Sequence, residues 1–114
     1  MTHYLAELYS PKPAWTALSA PERQQFFTAI GAGMAALSDL GIEALAFGET
    51  DATKQHPATQ QYFAIWRFAD EAALDALLDG IAASGWHDYF ETINAAGPAT
   101  DLAHHMGRLA TATA

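Results

Sequence analysis

A chain of 114 residues, 51% hydrophobic and only 16% charged, has the composition of one domain with one core and argues against a disordered chain. Five Lys and Arg stand against 13 Asp and Glu, a formal charge of −8, and the basic residues Lys12, Arg23, Lys54, Arg67 and Arg108 are scattered. That excludes the basic stripe on which a nucleic-acid or anionic-membrane binder depends.

The absence of cysteine rules out disulfides, thiolate metal sites and a cysteine nucleophile. MTHYLAELYS has neither the basic n-region nor the apolar h-region of a signal peptide, and no run reaches transmembrane length. The expectation is a cytoplasmic protein.

In chain order, His3–Tyr9 (HYLAELY) alternates like a strand and stops at SPKP, which no central strand tolerates. Ser19, Pro21 and Glu22 form a capping-box signature. Phe26, Phe27, Ile30, Met34 and Leu37 then recur at helical spacing up to a stop at Gly41. Ile42–Gly48 reads as a second strand, and the polar segment TDATKQHPATQQ as an exposed loop. Tyr62–Phe68 (YFAIWRF) is the strongest strand of the chain. Asp70 caps a second helix with Leu74, Leu77, Leu78 and Ile81 on one face. GWHDYFETIN (85–94) is expected to continue helically after Gly85, because Trp86, Tyr89, Phe90 and Ile93 fall at i, i+3, i+4 and i+7. Asp101–Leu109 is then the last strand, and residues 110–114 fray.

This order is β-α-β-β-α-β, an α+β ferredoxin-like domain spanning 1–114: a four-stranded antiparallel sheet with both helices on one face. The other face needs a cover as well. In the third strand Phe63 and Ile65 point one way and Tyr62, Trp66 and Phe68 the other; the second sets Leu45 and Phe47 opposite Ala44 and Ala46. A sheet with one wet face alternates apolar with polar, and this one does not. With no spare element in the chain, a second copy is the expected cover, giving a homodimer through the sheets.

HYLAELYSPKPAW near the start and GWHDYFETINAAG near the end resemble an uncharacterised bacterial family, a domain of unknown function, within the dimeric α+β-barrel superfamily. The resemblance implies the ferredoxin-like fold and the homodimer. That superfamily holds cofactor-free oxygenases, lactone isomerases, haem-dependent enzymes and plain binding proteins, among which fold alone does not choose.

The residues narrow the chemistry only partly. His104 and His105, adjacent on an expected strand, point to opposite faces, and no H-x-H or H-E-x-x-H spacing occurs, so no metal is expected. GAG at 31–33 lies inside a helix and is no dinucleotide site; no cofactor is expected. In the helical reading Trp86 and Tyr89 either pack or wall a ligand cavity. Glu7, among His3, Leu5 and Tyr9, and Arg67, beside Phe63 and Ile65, lie on neighbouring central strands. They are expensive to bury there unless they pair or face a wet cavity, so they form either a structural ion pair or the polar floor of an apolar pocket.

The resulting expectation is a homodimer that binds a small apolar or aromatic molecule in a sheet–helix pocket, of the cofactor-free oxygenase or isomerase kind if it catalyses. His3 or His105 would be the base, and Glu7, Tyr9, Arg67, Trp86 and Tyr89 the ligand contacts. The rival expectation is a non-catalytic structural or interaction module whose sheet serves only dimerisation.

Overall fold

In the computed structural model, which describes residues 1–113, β1 (His3–Pro11), β2 (Ile42–Glu49), β3 (Tyr62–Phe68) and β4 (Phe90–Pro98) form one antiparallel sheet. Their spatial order is β2-β3-β1-β4. Helices α1 (Pro13–Thr16), α2 (Ala20–Ala36), α3 (Glu71–Ala83), α4 (Trp86–Tyr89) and α5 (Leu102–Ala110) and a 3-10 turn at Ser38–Leu40 complete the chain. The sheet, with the crossovers through α2 and α3, is the expected ferredoxin-like β-α-β-β-α-β arrangement. No helix among the described residues is long and apolar enough to cross a membrane.

The local signals act where the sequence puts them. Ser19 Oγ accepts from the Glu22 amide at 3.3 Å while Glu22 Oε1 accepts from the Ser19 amide at 3.0 Å, so α2 starts on a complete capping box. Its far end runs through the 3-10 turn to Gly41, whose φ of 75° needs a residue without a Cβ. Asp70 Oδ1 accepts from the Ala73 amide at 2.9 Å and starts α3.

Two elements differ from the sequence reading. Residues 85–94 give only the single helical turn α4 before the chain becomes β4, so the fourth strand is Phe90–Pro98. Asp101–Leu109 is not a strand: Asp101 Oδ1 accepts from the His104 amide at 2.8 Å, and Leu102–Ala110 follows as α5. The tail expected to fray from 110 is therefore helical at Ala110, and Thr111 caps it; residue 114 lies outside the described residues.

The register decides which side chains meet. β1 and β3 pair His3 with Phe68, Leu5 with Trp66, Glu7 with Ala64 and Tyr9 with Tyr62. Partners directly opposite share a face, so odd-numbered residues of β1 lie with even-numbered residues of β3. On the helix side Leu5, Ala64, Trp66 and Phe68 pack against Ala73, Leu74 and Leu77 of α3 and form the buried core. An irregularity in β2 between Ala44 and Ala46 brings Ala44 opposite Trp66 and Phe47 opposite Ala64, so Phe47 also belongs to the helix side. α2 sits differently: none of its residues is fully buried, and only a half-buried stripe including Phe26, Ile30 and Met34 turns inward.

The opposite face carries Tyr4, Ala6 and Leu8 of β1, Phe63 and Ile65 of β3, and Ile93 of β4. Among the described residues it is left partly open to solvent: Tyr4 is 37% and Ile93 51% exposed. α5 is likewise uncovered, with Leu102, Met106 and Leu109 exposed along one side.

Candidate functional site

The gap between the loosely seated α2 and the sheet is a cavity of about 180 Å³. Glu7 and Tyr9 of β1, Phe47 of β2, Trp66 of β3, Ile30 and Met34 of α2, Leu77 and Ile81 of α3 and Trp86 of α4 line it. Glu7 is its only charged side chain among the described residues and is just 5% exposed. Trp66 Nε1 donates to Glu7 Oε1 at 2.8 Å, a bond that runs diagonally between the two central strands. Burial holds the carboxyl above the usual carboxylate range, against the opposing pull of the Trp66 hydrogen bond and of His87. The Tyr9 phenol is raised too, first by burial and then by Glu7 and Tyr62.

An outer groove of about 350 Å³ shares Tyr9 and Trp86 with this cavity and adds Pro11, Trp15, Arg23, Phe27, Tyr62 and Phe90. Its wall forms because Gly85, at φ 86°, turns the chain out of α3 so that Trp86 folds back over the sheet. The indole stacks on Phe90 at 4.0 Å, meets Tyr9 edge-on at 5.1 Å, and donates to Thr92 Oγ1 at 3.1 Å. A smaller hollow of about 120 Å³ separates α2 from α3 and shares Ile30, Met34, Leu77 and Ile81 with the inner cavity.

Glu7, Tyr9 and Trp86 are thus brought together, and the other expected contacts are not. Arg67 lies on the opposite face, where it donates from Nε to Glu43 Oε2 at 2.9 Å and is exposed. Both the Glu7–Arg67 ion pair and the shared pocket floor are therefore corrected, because the antiparallel register sets Glu7 opposite Ala64 and Arg67 opposite Tyr4, on different faces of the sheet. Tyr89 lines neither the cavity nor the groove and packs edge-on against Trp15 and Phe26, since the chain turns into β4 after it. His105 rides on the exposed α5, a helix where a strand was expected. His3 stands at the start of β1, its Nδ1 at 3.0 Å from the Met1 carbonyl, and lines neither the cavity nor the groove.

Sequence reasoning passed over Trp66, Trp15 and Arg23. A signal for Trp66 existed: a tryptophan inside an apolar strand needs an acceptor for its N–H, and Glu7 stood on the neighbouring strand. Chemically, the inner cavity offers a desolvated carboxyl beside a phenol in an apolar wall, an arrangement suited to accepting a proton or a hydrogen bond from a bound molecule.

No curated protein matches the chain. Among solved structures it is similar to a provisionally assigned chlorite dismutase, at a TM-score of 0.67 and 18% identity over 96% of this chain and 48% of that one. It is similar to a mutant chlorite dismutase from Candidatus Nitrospira defluvii, at 0.68 and 8% over 93% and 43%. A dimeric ferredoxin-like protein of unknown function from Thermobifida fusca YX matches at 0.53 and 14%, over 87% of this chain and 92% of its own. The chain spans about half the length of the two dismutase structures, and at such identities the likeness is one of fold. Residues 2–112 match a family of unknown function (DUF6616), and the chain belongs to that family.

Proposed function

We propose that this protein is a homodimer that binds a small aromatic molecule between sheet and helices and presents Glu7 to it as a proton acceptor. Glu7 carries the reading. A buried carboxyl is costly, and here a single hydrogen bond from Trp66 answers it in a wall that is otherwise apolar and aromatic. Apolar pockets with a few convergent polar groups are the usual form of small-molecule sites. A cavity of about 150 Å³ admits benzene, so the inner space of about 180 Å³ suits one ring, with the groove taking what projects from it.

A carboxylate raised toward neutrality is a fitting base for an acidic C–H or O–H, and such a deprotonation opens both cofactor-free oxygenation and isomerisation. Glu7 replaces His3 and His105 in that role. Dimerisation is supported by the uncovered apolar face, by the exposed stripe of α5, and by the dimeric ferredoxin-like protein of the same fold. A module built only for dimerisation would use that open face and would have no use for a carboxyl on the other side of the sheet.

The test is calorimetric titration with phenol, indole and benzene, repeated on Met34→Trp, which fills the cavity. Binding that this substitution abolishes, with phenol favoured over benzene only while Glu7 is present, is the expected result. Failure of all three probes to bind at millimolar concentration overturns the reading.

A further inference from the structure

Among the described residues Arg23 is the one cationic side chain lining either the cavity or the groove. Arg67 is paired with Glu43, Lys54 with Asp51, and Lys12 Nζ donates to the His87 carbonyl at 2.7 Å. Arg23 has no carboxylate in ion-pair contact among the described residues. Its guanidinium carbon lies 5.4 Å from the Trp15 ring centroid, and Nη2 donates to the Thr16 carbonyl at 3.2 Å. Nε, however, is buried with no hydrogen-bond partner among the described residues, a state that costs stability. The residue also sits near the N-terminal end of α2, where the helix dipole disfavours a cation.

A guanidinium in this condition matches a carboxylate, whose two oxygens meet its fork of donors. The inner cavity cannot take an anion, because Glu7 is the only charge there. The site therefore has a polarity: a proton acceptor at the inner end and a cation in the groove, joined by the shared walls Tyr9 and Trp86.

We propose that the ligand is a small aromatic acid whose ring lies along Tyr9 and Trp86 and whose carboxylate is held in the groove by Arg23. This rests on the aromatic-ligand reading above and adds the anionic end.

The experiment compares para-hydroxybenzoate with its neutral analogue para-hydroxybenzamide by calorimetry on the wild type, Arg23→Gln and Arg23→Lys, each checked for folding by circular dichroism. A charge-assisted bond predicts that the wild type prefers the acid by about tenfold or more. Arg23→Gln should lose that preference while still binding the amide, and Arg23→Lys should keep part of it. Equal binding of acid and amide by the wild type overturns the proposal and leaves the aromatic site standing. An equal loss of both in Arg23→Gln also overturns it, since Arg23 would then only pack on Trp15. If neither probe binds the wild type, the aromatic site fails and this inference with it.

Discussion

Trp66 on β3 holds the buried carboxyl of Glu7 on β1 through a single 2.8 Å hydrogen bond, on the side of the sheet that faces α2 and α3. Two consequences of that burial and that bond can be measured on the protein alone.

The first is a pH dependence. Burial raises the Glu7 carboxyl above its ordinary 4.5, so the folded protein binds this proton more tightly than the unfolded chain does. The stability it contributes is complete below that value and is lost as the pH rises through the folded-state pKa. Glu7→Gln keeps a carbonyl for Trp66 and removes the titration. Relative to wild type the variant should therefore gain stability as the pH rises, and urea denaturation at several pH values reads the difference. Parallel stability–pH curves for the two proteins would show that Glu7 is not desolvated.

The second concerns the donor. Trp66→Phe leaves the ring volume largely filled but strips Glu7 of its hydrogen bond. The expected loss is about 1–3 kcal/mol, the penalty for an unsatisfied buried acceptor. Because that bond lowers the carboxyl pKa, carbon-13 NMR titration should find Glu7 shifted further upward. A pKa that stays put or falls contradicts the geometry.

On the open face, Ile65→Asp sets a charge among Tyr4, Leu8 and Phe63. Light scattering should report a wild-type dimer and a monomeric or unfolded variant, since association and folding are linked. Wild-type protein that remains monomeric at micromolar concentration removes the dimer.

The aromatic cluster yields a graded pair. Trp15 is 7% exposed and touches Phe26, Phe27, Tyr89 and Phe90 with ring centroids 4.8 to 5.6 Å away. Trp15→Ala should cost about 3–5 kcal/mol, as for a large ring removed from a packed interior. His87 is exposed and receives Lys12 through its backbone carbonyl, so His87→Ala should change stability by less than ~0.5 kcal/mol. Chemical denaturation of the two variants checks the contrast.

What the sequence revealed follows from the range of each signal. Capping by Ser19, Glu22 and Asp70 and the aromatic run of β3 are local, and they were legible. The segment after Gly85 misled because Trp86, Tyr89, Phe90 and Ile93 fit a helical stripe, although Phe90 and Thr92 also alternate as a strand does; a strand partner in β1 decided the matter. For α5 the overlooked signal was Asp101 as N-cap, with Leu102, Met106 and Leu109 at i, i+4 and i+7. The Glu7–Arg67 error was one of register. With both faces of β1 and β3 apolar, no hydrophobic pattern tells which parity of one strand lies beside which of the other. Glu7 was recognisable as anomalous and the Trp66 N–H as in need of an acceptor, but joining the two required that register.

The sheet order also constrains how the molecule forms. β1 lies between β3 and β4, and its pairing with β4 runs from His3 opposite Pro98 to Pro11 opposite Phe90. The strand nearest the N-terminus thus finds both neighbours in chain that is synthesised much later. Only the β2–β3 hairpin is comparatively local, so the loop-closure entropy of the central pairings opposes early folding on the ribosome. Glu7 and the apolar residues around it stay exposed until β3 and β4 have emerged. The cavity is consequently among the last features to form, and nascent chains arrested before Pro98 should remain open to proteases throughout β1.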